Sequence, residues 1–321
     1  MYREFFGLHG KPFELTSDSR SLFLSETHRQ GLSTLKYGVD ANSGLLLLTG
    51  GVGTGKTTLI NALVAELDDS HHLCLLSNPI LEVSEFYHYF ATRLGLRYDG
   101  DKDSFILALS QLLEDCLALG RKVLLIIDEA HALPYDLFEE ILFLENLSAE
   151  RKNILSIFLV GQPELLRRLA EERLRPAWQR AEIRFHLEPL NSADVRAYIN
   201  YRLMVAGRDQ NMEELFTDKA IEYIHRATGS VPRVINVLCD NAMLTAYSRG
   251  IKQIDHNIIQ ECVEQMVYSP ADKKLLQAVP ERGFWEKWLW PLVAVLVVLE
   301  ILAVWLAFHF GLVDRILGLF R

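Results

Sequence analysis

Several features are missing from this chain, and each absence narrows what it can be. The first residues, MYREFFGLHGKPF, contain no apolar run behind a basic start, so no secretory signal peptide is expected. Cysteine is scarce and scattered. Cys74, Cys116, Cys239 and Cys262 form no C-x-x-C pair and no cluster with histidine, which reads as buried free thiols in a reducing cytosol. Basic residues are in deficit, 33 Lys and Arg against 42 Asp and Glu. A formal charge of -9 argues against non-specific nucleic-acid binding by the whole surface, though not against a local basic patch. No internal repeat or low-complexity segment occurs. What remains is a chain of 321 residues, 50% hydrophobic and 23% charged, enough for two soluble domains and one extra apolar segment.

The most informative stretch is LLLLTGGVGTGKTTLI, residues 45–60. Leu45 to Thr49 read as a strand buried on both faces. The G-x-x-x-x-G-K-T pattern follows, with Gly50, Gly51, Val52, Gly53, Thr54, Gly55, Lys56, Thr57 and Thr58 as the phosphate-binding run. Its glycines let the backbone curl so that N–H groups cradle phosphate oxygens. Lys56 would reach the β- and γ-phosphates of ATP, and the Thr57 hydroxyl would bind Mg²⁺. The helix behind the loop aims its positive end at the same anion. This is a P-loop.

A second motif appears some 70 residues later, VLLIIDEAH at 123–131. An aliphatic strand ending in two carboxylates is the Walker B arrangement. Asp128 would hold the metal, and Glu129 would act as general base on the attacking water. His131 is assigned no chemistry. Another apolar strand, residues 154–160, runs into Gly161-Gln162-Pro163. Gln162 either lies beside the γ-phosphate or merely caps the following helix. Residues 164–180 read as helical and dense in arginine. Arg180, just before a short strand at 182–187, is a candidate to reach a neighbouring subunit's nucleotide, with Arg175 competing.

Between these motifs, residues 73–77 read as a strand, and 83–94 and 103–119 as helices with core-facing aromatics and leucines. The lead-in, 1–44, ends in a helix from Glu26 capped by Ser25. It either closes over the adenine or packs on the domain edge. From Pro189 the pattern turns all-helical, with helices at about 192–205, 217–228, 232–248 and 256–267. Arg233, opening one of them, either points back at the nucleotide or is a surface arginine. A polar linker at 269–288 then leads to residues 289–313, an apolar run preceded by Trp285 and Trp288. It is long enough to span a bilayer and carries Glu300 near its middle. The excess of Lys and Arg before it places the ATPase on the cytoplasmic side.

These motifs together (MYREFFGL…KPFELTSD, GGVGTGKTTL, LLIIDEAH, NLS…SIFLVGQPEL and TGSVPRVINVLCDNA) resemble the ExeA/GspA-like AAA+ ATPases of bacterial general secretion. The resemblance covers residues 1–268 and extends to pilus-biogenesis, exosortase-associated and transposition ATPases. It implies an α/β AAA+ fold with a five-stranded parallel sheet at 45–188 and a helical lid at 189–268. It also implies Gln162 and Arg233 as the two nucleotide sensors, and supports Arg180 as the trans arginine. Relatives in general secretion continue beyond their membrane helix into a periplasmic cell-wall-binding domain. Eight residues, 314–321, follow the span here, so direct cell-wall binding is not carried over. The expectation is an ATP- and Mg²⁺-dependent ATPase, oligomeric and anchored by one helix in the bacterial inner membrane. There it would serve a partner protein of a secretion, pilus or exopolysaccharide machine. A DNA-linked regulator and a nucleotide switch with little turnover are the alternatives.

Overall fold

The computed structural model describes residues 2–14, 23–149, 154–209 and 212–267. The chain divides into two units, Met1–Ser269 and Pro270–Arg321. The expected linker and membrane span, with Glu300, lie outside the described residues. Among the described residues, no helix is long and apolar enough to cross a membrane.

Five parallel strands form one sheet: β1 (Leu45–Gly50), β2 (His71–Leu76), β3 (Lys122–Ile127), β4 (Leu155–Gly161) and β5 (Ala181–Leu187), in the order β2-β3-β4-β1-β5. β1 and β4 are buried along their whole lengths, which is why they read as unbroken apolar runs. Side chains alternate between two cores. On one face Leu45, Leu47, Leu125, Ile157 and Leu159 pack under α4 (Val83–Leu94), α5 (Lys102–Leu119) and α6 (Tyr135–Ala149). On the other, Leu46, Leu48, Leu124, Phe158 and Val160 pack under α2 (Glu26–Asp40) and α3 (Lys56–Glu66). Register then sets the site. Thr49 pairs with Gly161, and Ile127 with Leu159, so the chain leaves β1, β3 and β4 at the same carboxyl edge of the sheet.

The arginine-rich stretch departs from the single helical run expected over 164–180. It breaks into α7 (Glu164–Leu169), a 3₁₀ turn at Glu172–Leu174, and α8 (Arg175–Arg180). Glu171 is extended (ψ 146°), and Pro176 is tolerated only in the first turn of a new helix, which is where it sits. The edge strand β2 begins two residues before the expected Leu73, taking in the half-covered His71 and His72.

The helical region comprises α9 (Ser192–Val205), α10 (Asp218–Thr228), α11 (Pro232–Ser248) and α12 (His256–Val267). Of the two neighbouring residues that could cap α9, Asn191 and Ser192, Asn191 does so by accepting from the Asp194 amide. The lead-in divides its contacts. Its first helix, α1 (Tyr2–Phe5), docks on α11: the Tyr2 hydroxyl donates to Asp240 at 2.9 Å, and the rings of Phe5 and Tyr247 meet edge-on. The Ser25-capped α2 instead covers α3 and β5.

Candidate nucleotide-binding site

The loop between β1 and α3 is shaped by what surrounds it. Gly53 and Gly55 take positive φ values of 76° and 106°. A Cβ on Gly53 would lie 2.6 Å from the Arg233 Cβ, and one on Gly55 would lie 2.7 Å from His28 Nε2. Both the backbone twist and the close approach therefore require glycine. Lys56 is folded inward, its Nζ donating to the carbonyls of Gly50 (3.1 Å) and Gly51 (3.0 Å). Burial pushes the Lys56 pKa down, and Glu129, Asp128 and Glu164 oppose that shift. The Thr57 hydroxyl donates to Asp128 Oδ2 at 2.6 Å, while Asp128 Oδ1 accepts from the Glu129 amide at 2.8 Å.

Glu129 follows at φ 52°, a left-handed conformation that a non-glycine residue adopts only when its surroundings enforce it. Gln162 turns its amide toward this carboxylate, Nε2 to Oε2 at 3.4 Å, so its side chain is not a helix cap. Val52 to Thr58, Glu129, Gln162 and Arg233 all line one cleft of about 420 Å³. Gly50 and Gly51 sit at its floor through their bonds to Lys56, and Asp128 joins through Thr57. Arg233 packs against the loop from the first turn of α11.

Arg180 is not among the residues lining the cleft. It donates to Glu145 Oε2 of α6 at 3.2 Å. Burial raises the Glu145 pKa and the Arg180 charge opposes that shift. Arg175 is exposed at the start of α8.

The cleft is also lined by residues that no motif signalled. Glu14, Phe23 and His28 come from the lead-in, and Tyr198, Arg202 and Asn236 from the helical region. The Tyr198 hydroxyl donates to Asn236 Oδ1 at 2.7 Å. Phe23 packs on Tyr198 and Tyr201, each ring centroid 5.6 Å away. Buried Arg202 donates to the carbonyls of Pro12 (2.6 Å) and Glu14 (2.8 Å). His28 spans to the loop, with Nε2 3.1 Å from the Thr54 carbonyl and Nδ1 2.7 Å from Ser25 Oγ. Burial lowers its pKa, so Nε2–H donates to Thr54 and Nδ1 accepts from Ser25. Ser25 and Arg202 carried a weak signal as a cap and an arginine on an apolar helix face. The lead-in thus both packs on the helical region and contributes to the lining of the cleft.

Comparison with known proteins agrees with this geometry. Residues 39–169 match the AAA domain family. Over 263 residues the chain is 38% identical to general secretion pathway protein A of Aeromonas hydrophila, covering 81% of this chain and 47% of that one. The chain is an AAA+ P-loop protein related to general secretion pathway protein A. It spans about half the length of that relative. The AAA+ fold also recurs in solved structures of low identity. Cdc6p of Pyrobaculum aerophilum superposes with a TM-score of 0.60 at 15% identity, over 82% of this chain and 73% of that one. The ADPNP–ADP complexes of Aeropyrum pernix ORC2 give 0.58 at 15%, over 79% and 71%. The Thermotoga maritima RuvB Holliday junction branch migration motor gives 0.51 at 21%, over 80% and 76%.

Proposed function

We propose that this AAA+ protein hydrolyses ATP to ADP and phosphate, and that it does so to drive assembly or operation of a bacterial envelope export machine. The observation that carries the enzymatic part is the junction of Thr57, Asp128 and Glu129 at the mouth of the P-loop. A hydroxyl and a carboxylate 2.6 Å apart are two hard oxygen donors of the kind Mg²⁺ takes, and the next residue is a half-exposed carboxylate. Bound Mg²⁺ would neutralise phosphate charge and orient the β- and γ-phosphoryl groups. The loop amides and Lys56 would hold those phosphates, and burial of Lys56 strengthens its pull on them. Glu129 would take a proton from water as the water oxygen bonds to the γ-phosphorus. The bond from that phosphorus to the bridging oxygen breaks, and ADP leaves with the electron pair. Gln162 would orient the same water. Arg233 would tie the helical region to the nucleotide, and Arg180 or Arg175 would serve a neighbouring subunit's site in an oligomer.

The export role is supported by the relationship to general secretion pathway protein A. The apolar residues 289–313 support an anchor in the inner membrane with the ATPase in the cytoplasm and a membrane protein as partner. Turnover and oligomer size measured in detergent, wild type beside Glu129→Gln, test the reading. The wild type is expected to hydrolyse ATP slowly. The variant is expected to bind ATP, lose all but a residual turnover and accumulate as an oligomer. Two equally inert proteins, even with lipid or DNA added, would leave a nucleotide switch as the better description.

A further inference from the structure

Glu129 and Gln162 touch a third side chain that is not among the residues lining the cleft. His131 Nδ1 lies 3.4 Å from Glu129 Oε2, and His131 Nε2 lies 3.1 Å from Gln162 Nε2. With the 3.4 Å approach of Gln162 Nε2 to Glu129 Oε2, the three side chains close a ring. With its hydrogen on Nδ1, the imidazole donates to the Glu129 carboxylate, Nε2 accepts one amide hydrogen of Gln162, and the second amide hydrogen goes to Glu129. The Gln162 backbone amide also approaches Nδ1, at 3.5 Å, a longer contact that this arrangement leaves unused. Contacts around a general base are commonly long before substrate binds and tighten afterwards.

His131 is itself held from behind. Its carbonyl accepts from Arg168 Nη1 of α7 at 2.7 Å, and the Arg168 guanidinium lies 4.7 Å from the centre of the Tyr135 ring. Its backbone sits tight against the end of β4, where a Cβ on Gly161 would come within 3.2 Å of the His131 amide. The imidazole is 20% exposed, against 44% for the Glu129 side chain it contacts. Glu129 therefore needs an anchor and His131 has one. A carboxylate on three rotatable bonds, half in solvent, keeps a productive geometry only if neighbours restrain it.

We propose that His131 is a positioning residue for hydrolysis, holding the Glu129 carboxylate and the Gln162 amide in a single arrangement without touching the nucleotide. This rests on the ATPase reading above. The test uses the full chain and compares kcat, KM and the affinity for a fluorescent ATP analogue in wild type, His131→Ala and His131→Asn, each also made in the Glu129→Gln background. His131→Ala should lower kcat by about tenfold to a hundredfold, with KM and analogue affinity within about twofold of wild type. His131→Asn, whose amide can occupy the place of Nδ1–H, should recover part of that loss, and circular dichroism of both variants checks that each is folded. In the Glu129→Gln background neither change should lower residual turnover further. An active wild type whose kcat is indifferent to both substitutions overturns the inference alone. So does a parallel loss of nucleotide affinity, or an equal further loss in the Glu129→Gln background. A wild type with no turnover overturns the ATPase reading and takes this inference with it.

Discussion

His28 has both ring nitrogens committed inside the protein, and that commitment depends on its charge state. Its Nδ1 accepts from Ser25, so a proton there would turn an acceptor into a donor and place a charge on desolvated ground. Burial lowers its pKa below the usual 6.5, opposed by the bond to the Thr54 carbonyl and the charge of Asp194. A histidine with a depressed folded-state pKa contributes stability that is fully present above its unfolded value. That contribution is lost as pH falls from 6.5 toward the folded value. Thermal unfolding followed from pH 7.5 down to about 5 should therefore show a declining Tm in the wild type. His28→Gln should be less stable at neutral pH and show a shallower decline. Parallel curves for the two proteins would assign the acid sensitivity to other groups. Arg202 makes the complementary point, since its buried guanidinium ties down two carbonyls of the lead-in.

The junction of the P-loop with α11 shows how an element's ends carry more constraint than its middle. Gly53 sits at φ 76° with the Arg233 Cβ 2.6 Å from where its own Cβ would be, and the Arg233 amide approaches the Gly53 carbonyl at 3.4 Å. Gly53→Ala would add left-handed strain of about 1–2 kcal/mol and push α11 off the loop. The expected result is a loss of more than about tenfold in ATP affinity, with stability in urea lowered by at least that strain. Unchanged affinity would mean that the contact between loop and helix does not bear on the nucleotide. The broken helix at 164–180 follows the same logic. Helical spacing continues through it, but the extended Glu171 and Pro176 force a restart, which leaves Arg168 on one piece and Arg180 on another.

Across the whole molecule the lead-in acts as a strap. Residues 2–14 bury Phe6, Leu8 and Phe13 and bond to α9 and α11, while α2 bonds to the P-loop through His28. The helical region and the sheet are thus joined twice, once through the chain after β5 and once through the strap. Deleting residues 2–14 strips three buried apolar side chains and removes two carbonyl acceptors of Arg202. It should reduce stability by on the order of 4 kcal/mol or more in urea unfolding. It should also weaken ATP binding while leaving the sheet's circular dichroism in place. A truncated chain as stable as the full one would mean that the strap is dispensable.

Much of this was readable along the chain because its causes are local. The P-loop, the Asp128–Glu129 pair and Gln162 each follow a strand buried on both faces, so an apolar run and the polar residues after it mark them without any knowledge of the neighbours. The Ser25 cap acts within three residues and was equally legible, whereas the structure chose Asn191 over Ser192 for α9. The rest of the cleft lining was not readable. Tyr198, Asn236 and Arg202 look like ordinary positions on amphipathic helices, and the partners of Arg202 at Pro12 and Glu14 are 190 and 188 residues away. Nor does local pattern place β1 between β4 and β5, or put His131 against Gln162. Periodicity shows that a face is buried, because burial repeats with the backbone. It does not show what covers that face, because the covering surface is chosen by packing among segments far apart in the chain.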